Sequence, residues 1–334
     1  MRGSQIITHM LRHFNSTIFI TLPLLWLVAC STAPVAPTVP STPDLKTVAV
    51  TPVLPGISPG VAVPPVVPPV VVPKRPPKIG LALGGGAARG FAHVGVIAAL
   101  EEAGIKPDFV VGTSAGSMVA AMYASGKSAA QLEQIAMDME EATITDWTLP
   151  FFNRGMIRGE ALGRYVNVQV GNLPIERMVL PLGIVSTDLH SGLGVLFQKG
   201  DTGMAVRASS AVPSVFLPVK IGAQEYVDGG LVSPVPVRYA RQMGAELVIA
   251  IDISSAPEGN AADNQLQILL QTFAIMGKSI NSFELKEADL LVQPLLLGVK
   301  GADFAAKRRS IDAGKNAMQR AVPQLRALIA AKSR

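Results

Sequence analysis

Apolar residues fall in short blocks along the chain, and the spacing inside the blocks alternates. Ile79-Gly80-Leu81-Ala82-Leu83 is a compact apolar run bounded by a glycine cluster, and Phe91 to Ala103 then shows helical spacing up to Gly104. This predicts a strand, a tight loop and a helix. The unit recurs where Asp108 to Val111 leads through Gly112-Thr113-Ser114-Ala115-Gly116 into a helical stretch from Met118 to Ala124. Ser128 can cap a further helix reaching about Met139, with Glu133 a little beyond the ideal reciprocal position. Runs at Leu180 to Ser186, Val195 to Gln198, Glu225 to Val227, Glu246 to Asp252 and Asp289 to Val292 read as strands. Helical stretches lie near Met204, Val237 and Ile268 and from Ser310 to Ala331. Such alternation argues for one α/β domain over 78–334 with a mostly parallel, covered sheet.

The first 77 residues follow another pattern. Arg2 and Arg12, with no acidic residue nearby, precede an apolar run from Ile18 to Ala29 interrupted only by Thr21 and Pro23. A membrane-spanning helix needs roughly 20 apolar residues, so this shorter run fits the core of a signal peptide over 1–29. The alternative is a short hydrophobic anchor kept in the mature protein. Leu27-Val28-Ala29-Cys30 resembles a bacterial lipobox, and Cys30 is the chain's single cysteine, which makes it the expected lipidation site. Ser31 follows where an Asp would signal inner-membrane retention, so the expected location is the outer membrane, facing the periplasm. The stretch 30–77 holds 14 of the 26 prolines and suits neither a helix interior nor a central strand. A Pro-rich tether extends at about 3.1 Å per residue, which here gives a reach of over ~100 Å. Its Val-Pro-Pro units could instead offer polyproline II to a protein partner.

Composition narrows the function classes. With 49% hydrophobic and 16% charged residues among 334, the chain is not wholly disordered. Aromatics make up 5%, and the net charge of +5 is spread without a long basic run, so nucleic acid is not an expected partner. One cysteine can neither close an internal disulfide nor complete a zinc site. Neither a metal nor a cofactor motif is visible.

Two glycine-containing segments carry the candidate chemistry. Gly112-Thr113-Ser114-Ala115-Gly116 follows a strand and opens a helix, the context in which a serine stands on a sharp turn whose neighbours must be small. Ser114 would then sit at a helix N-terminus, whose partial positive charge favours a developing anion. Gly84-Gly85-Gly86-Ala87-Ala88-Arg89-Gly90 also links a strand to a helix, and its backbone N–H groups could face either of two anions. A dinucleotide pyrophosphate would require an acidic residue at the end of the next strand, where Val111-Gly112-Thr113-Ser114 stands instead. The tetrahedral oxyanion of acyl transfer needs donors beside a nucleophile on the adjoining strand. For the base, His9 and His13 fall in the signal segment, and no histidine follows His190. His93, one turn into a helix, reads as packed there, and His190 reads as a turn residue. Asp228, in Tyr226-Val227-Asp228-Gly229-Gly230, ends a short strand and is either a base or an ordinary Asp-Gly hairpin turn.

Together the three motifs resemble the patatin-like phospholipase family, particularly its bacterial members, over about Ile79 to Gly244. Ala208-Ser209-Ser210-Ala211-Val212-Pro213 is similar to a further family block. The resemblance implies a three-layer α/β/α sandwich with a mostly parallel central sheet. It also implies a Ser-Asp dyad, with Ser114 as nucleophile, Asp228 as base and the Gly84, Gly85 and Gly86 backbone as oxyanion donors. Gly90, Gly112, Gly116, Gly229 and Gly230 support these motifs. Arg89 either orients the loop or is a solvated helix-start residue, and Ala87 stands where many members have glycine. The implied activity is release of fatty acid from a lipid ester through an acyl-enzyme, as in a phospholipase or lysophospholipase, with the membrane surface and lipid as partners. A thioesterase or peptide hydrolase with the same dyad, and a non-catalytic envelope lipoprotein, are the alternatives. With Asp228 as base, turnover is expected to persist below pH 6. Ala142 to Arg158, with Trp147, Leu149, Phe151, Phe152 and Met156, forms either an apolar lip at the site or core. Lys307-Arg308-Arg309 either meets anionic lipid heads or is a solvated helix entrance.

Overall fold

The computed structural model describes residues 74–146, 154–258 and 262–334. The signal segment, Cys30, nearly all of the tether, and Trp147, Leu149, Phe151 and Phe152 lie outside these residues. Along the chain run β1 (Ile79–Leu83), α1 (Phe91–Glu102), β2 (Phe109–Thr113), α2 (Ala115–Ala124), α3 (Ala129–Asp138), α4 (Glu141–Ile144), β3 (Gly155–Ile157) and α5 (Glu160–Gln169). Next come β4 (Leu182–Asp188), β5 (Gly194–Phe197), α6 (Thr202–Ser209), β6 (Ser214–Phe216), β7 (Val219–Ile221), β8 (Gln224–Asp228) and α7 (Val237–Gln242). The remainder is β9 (Leu247–Ile251), α8 (Gln265–Glu284), β10 (Leu290–Val292) and α9 (Lys307–Lys332).

The main sheet has the order β10-β9-β1-β2-β4-β8-β7, with β5 on the other edge of β4. The five strands from β10 to β4 are parallel, while β5, β7 and β8 join antiparallel. Side chains alternate across the pleat. Leu81, Leu83, Ile249 and Ile251 face α1, α2, α3 and α9, whereas Ala82, Val111, Val248 and Ala250 face α7. The architecture is therefore the expected α/β/α sandwich. Helices α4 and α5 and the three-residue strands β3, β6 and β7 escape the sequence pattern. β3 and β6 have three residues each and pair only with one another, too short for any alternation to register.

Helix α1 is buried on almost its whole circumference, because α9 lies directly across it. The crossing depends on two glycines. A Cβ on Gly95 would lie 1.9 Å from the Ile311 carbonyl oxygen, and one on Gly314 would lie 1.9 Å from that of Ala92. The Ser128 cap forms, but its reciprocal partner is Gln131, three residues on, and not Glu133. Glu133 instead pairs with Arg308. The basic cluster at the start of α9 is thus engaged within the protein: Lys307 donates to the Met137 and Met139 carbonyls, and Arg309 lies 3.6 Å from Asp303.

Gly314→Ala is expected to destabilise the domain by about 1–3 kcal/mol or more, because backbone stands where the methyl group would go. Urea unfolding followed by circular dichroism measures this, and an unchanged midpoint would contradict the close crossing.

Candidate active site

Strand β4 brings the two main candidate residues together. On one edge, Val185 pairs with Thr113 at the end of β2, and the next residue, Ser186, pairs with Asp228 at the end of β8. The opposite edge of β4 belongs to β5. β8 therefore takes up the edge where β2 leaves it, which sets Asp228 beside Ser114, the residue after Thr113. The Ser114 Oγ donates a hydrogen bond of 2.7 Å to Asp228 Oδ2. The other carboxylate oxygen accepts the Gly230 N–H at 2.7 Å.

Ser114 adopts φ 52° and ψ −124°, a region sparsely populated by non-glycine residues. The turn is held from several sides. Its N–H donates to Ser209 Oγ at 2.9 Å, and Ser209 in turn donates to the Val185 carbonyl. Its carbonyl accepts Ser117 Oγ at 2.6 Å. Gly112 and Gly116 are required by contact: a Cβ on the first would lie 2.4 Å from the Gly116 oxygen, and one on the second 2.2 Å from the Leu83 oxygen. Gly90 faces the Ala115 methyl, which a Cβ would approach to 2.9 Å.

Asp228 is not the corner of an Asp-Gly hairpin. It caps a short 3-10 helix, Gly229–Leu231, through the Gly230 bond. Gly229 lies so close to β4 that a Cβ there would stand 2.3 Å from the Val185 oxygen. The Asp228 N–H donates to the Ala211 carbonyl at 3.0 Å, and its carbonyl accepts Thr187 Oγ1 at 2.8 Å. The Ala208 to Pro213 block thus supports both partners, through Ser209 and Ala211. Sequence reading marked this block without giving Ser209 a role.

The glycine loop requires a correction. The N–H groups of Gly84 and Gly85 donate to the Ile251 and Pro234 carbonyls at 3.0 and 2.9 Å, so neither is available as an oxyanion donor. The Gly84 bond continues the β1–β9 pairing one step past β1, and the Gly85 bond ties the loop to the segment before α7. Among the described hydrogen bonds, the N–H groups of Gly86, Ala87 and Ala115 have no protein acceptor. Ala87 sits at φ 50°, in the left-handed region that favours glycine, the residue the resemblance leads one to expect at this place. Arg89 is buried, not solvated, and burial pushes its guanidinium pKa down while the Asp252 charge opposes the shift.

Neither histidine approaches Ser114 Oγ. His93 is fully buried, its Nε2 lies 2.8 Å from the Gly84 carbonyl oxygen, and burial lowers its pKa to about 4. It is neutral near pH 7, so Nε2 carries the proton and donates, fixing the loop. His190 is exposed and lies 3.5 Å from Glu225.

Ser114 opens on an apolar cavity of about 270 Å³ between α1, α2 and α3. Phe91, Met118, Met122, Leu132, Ile135 and Phe304 line it. Within the expected lip region, Ile144, Thr145 and Ile157 also line the cavity. Met156 is half-buried.

Fold and site together define an α/β sandwich with a serine on a strained strand-to-helix turn, hydrogen-bonded to a buried carboxylate. Residues 81–241 match the family described as Patatin-like phospholipase, a stretch that takes in both Ser114 and Asp228. It is 33% identical over 207 residues to an uncharacterized NTE family protein of Mycobacterium bovis, covering 62% of this chain and 57% of that one. Patatin-like phospholipase domain-containing protein 6 of Homo sapiens is 37% identical over 189 residues, which is 54% of this chain and 14% of the human protein. The chain thus spans little more than half of the first relative and a small part of the second. Among solved structures, VipD from Legionella pneumophila superposes with a TM-score of 0.54 at 14% identity, covering 75% of this chain and 68% of VipD, a likeness of fold.

Burial raises the Asp228 pKa to about 6, against the opposing hydrogen bonds from Gly230 and Ser114. The expected persistence of turnover below pH 6 therefore does not follow from this geometry. The folded-state pKa stands above the unfolded one, so the group imposes no penalty where both states are protonated. A penalty grows as pH rises from about 4 to about 6 and is complete above that. Asp228→Asn removes it. At pH 7.5 the variant is expected to be more stable than wild type by on the order of 2–3 kcal/mol, a gap that closes towards pH 4. Thermal melts across that range test the sign; equal melting temperatures at both ends would contradict a carboxylate buried at a cost.

Proposed function

We propose that this domain is a serine acyl hydrolase that releases a fatty acid from a lipid ester, as a phospholipase or lysophospholipase does. The observation that carries the reading is the hydrogen bond from Ser114, which lines an apolar cavity, to the buried Asp228. In this scheme Ser114 Oγ attacks the ester carbonyl carbon as Asp228 Oδ2 takes the hydroxyl proton. Negative charge develops on the former carbonyl oxygen, beside the N–H groups of Gly86, Ala87 and Ala115 and the α2 N-terminus. Collapse expels the alcohol, which receives the proton held by Asp228. Asp228 then takes a proton from water, the water oxygen attacks the acyl-enzyme, and the carboxylic acid leaves as Ser114 regains its proton. The apolar cavity suits the acyl chain.

The same proposal places the enzyme at a membrane. A signal segment over 1–29, a lipidated Cys30 and a Pro-rich tether would hold the domain at the outer membrane, facing the periplasm. Cys30→Ala is expected to abolish incorporation of an alkynyl fatty acid during metabolic labelling, and labelling equal to wild type would end the lipoprotein reading.

Ser114→Ala is expected to eliminate hydrolysis of a soluble ester and labelling by a fluorophosphonate, with the fold intact. Asp228→Asn should lower the rate about 10²–10⁴-fold. Because the base must be ionised, the wild-type rate should fall as pH drops through about 6 and level off above it. That inflection should stay in place in His190→Gln and His93→Gln, even where the latter lowers the plateau by releasing Gly84. Loss of the limb in either histidine variant would overturn the dyad.

A further inference from the structure

We infer that the outer face of α8, with the loop that follows β10, docks the active-site end of the domain on a phospholipid bilayer. This rests on the proposed function in supposing that the substrate lies in that bilayer and that Cys30 anchors the tether there. Helix α8 carries apolar residues on both its inner and its outer side. Its two buried residues are polar, Asn281 and Glu284, and they are held by Ser254 and Ser233. Ile268, Ile275, Met276 and Phe283 are spaced at seven or eight residues, which puts them on one face, roughly opposite Asn281 and Glu284. All four are exposed, Phe283 by 70%. Half-buried Leu266, Phe273 and Ile280 share the inner side with Asn281 and Glu284, so the outer apolar face exceeds what a helix serving only the core needs.

The loop after β10 carries further exposed apolar side chains. Leu295 and Leu297 are 68% and 77% exposed. Eight of the 13 exposed large hydrophobic residues among the described residues lie between Ile268 and Leu297. Exposed apolar patches of this kind mark interaction surfaces.

The patch lies beside the site. Gly277 approaches Pro234, whose carbonyl holds the Gly85 N–H, and the Leu297 loop continues into Gly301 and Ala302 at the cavity. Gly301 also accepts the Ala88 N–H at 2.9 Å. Lys286 Nζ stands 5.3 Å from the Phe283 ring centroid, so a cation accompanies the most exposed aromatic, as suits a ring at the level of lipid headgroups. Among the described residues no helix is long and apolar enough to cross a membrane, so contact through α8 is interfacial.

The route of the chain favours a bilayer over a second copy. Residues 74–78 lead into β1 at the N-terminal edge of the parallel strands, whereas Ser114, at the end of β2, stands at the opposite edge. A tether anchored at Cys30 thus joins the domain at the end away from the site. The reach expected of the Pro-rich stretch, on the order of 100 Å, is enough for the domain to turn its far end to the anchoring membrane. An apolar surface at that end gives the turn a driving force.

The test uses the full chain with Cys30→Ala, so that an introduced cysteine is unique. Phe283→Cys, Leu297→Cys and Val179→Cys each receive an environment-sensitive NBD fluorophore. Val179, 75% exposed just before β4, reports from the other end of the sheet. With phosphatidylethanolamine–phosphatidylglycerol vesicles, the first two labels should shift to the blue and gain at least twofold in intensity, while the Val179 label stays unchanged. No change at 283 and 297, or an equal change at 179, overturns the proposal. So does a shift that follows protein concentration without vesicles, which would assign the face to a second copy. In the unlabelled chain, Phe283→Asp with Leu297→Asp should lower turnover of vesicle-borne substrate at least tenfold and leave soluble-ester turnover within twofold. Equal losses on both substrates overturn docking. Absence of soluble-ester turnover in wild type sinks the hydrolase reading instead, while the fluorescence still decides the docking.

Discussion

One edge of β4 is shared by two strands that run in opposite directions, and the site depends on that handover. The parallel partner, β2, ends in the serine, and the antiparallel partner, β8, ends in the aspartate. Neither strand could extend further along the edge without displacing the other. The same stretch of β4 carries the supports: Val185 receives the Ser209 hydroxyl and is closely approached by Gly229, and Thr187 holds the Asp228 carbonyl. A register slip of one residue would turn these β4 side chains to the other face and break the match between Val185, Ser186 and their partners.

Several arrangements at the site oppose stability. Ser114 holds a sparsely populated backbone conformation, Ala87 holds another, and Asp228 is buried with an ionisable group that no cation among the described residues neutralises within salt-bridge range. Each persists because its surroundings leave few alternatives. The serine turn is pinned by Ser209 and Ser117, and the glycine loop by carbonyls from β9 and Pro234 together with the imidazole of His93. Thus His93 serves as a brace in a site where a histidine would ordinarily invite reading as a base.

The alternation of strands and helices was legible because buried parallel strands require continuous apolar runs, and β1, β2 and β9 have them. The serine turn was legible for a steric reason, since only glycine fits at 112 and 116 beside the neighbouring carbonyls. Which N–H groups of the glycine loop remain free was not, because the acceptors for Gly84 and Gly85 come from Ile251 and Pro234, far along the chain. The acidity of Asp228 was equally hidden, being set by burial that only the assembled layers create. Hydrophobic spacing located α8 but could not tell which of its faces looks inward. The inward side holds the buried polar Asn281 and Glu284 beside half-buried Leu266, Phe273 and Ile280, while equally apolar residues face out.

The crossing of α1 and α9 has a temporal side. Gly95 and Gly314 seat the final helix on the one that carries His93, and His93 braces the loop beside the serine. In a chain leaving the ribosome, the serine and its aspartate emerge well before the helix that completes this brace. The growing polypeptide therefore holds both reactive side chains while the frame around them is unfinished. The brace around the glycine loop is thus completed only after the residues it serves.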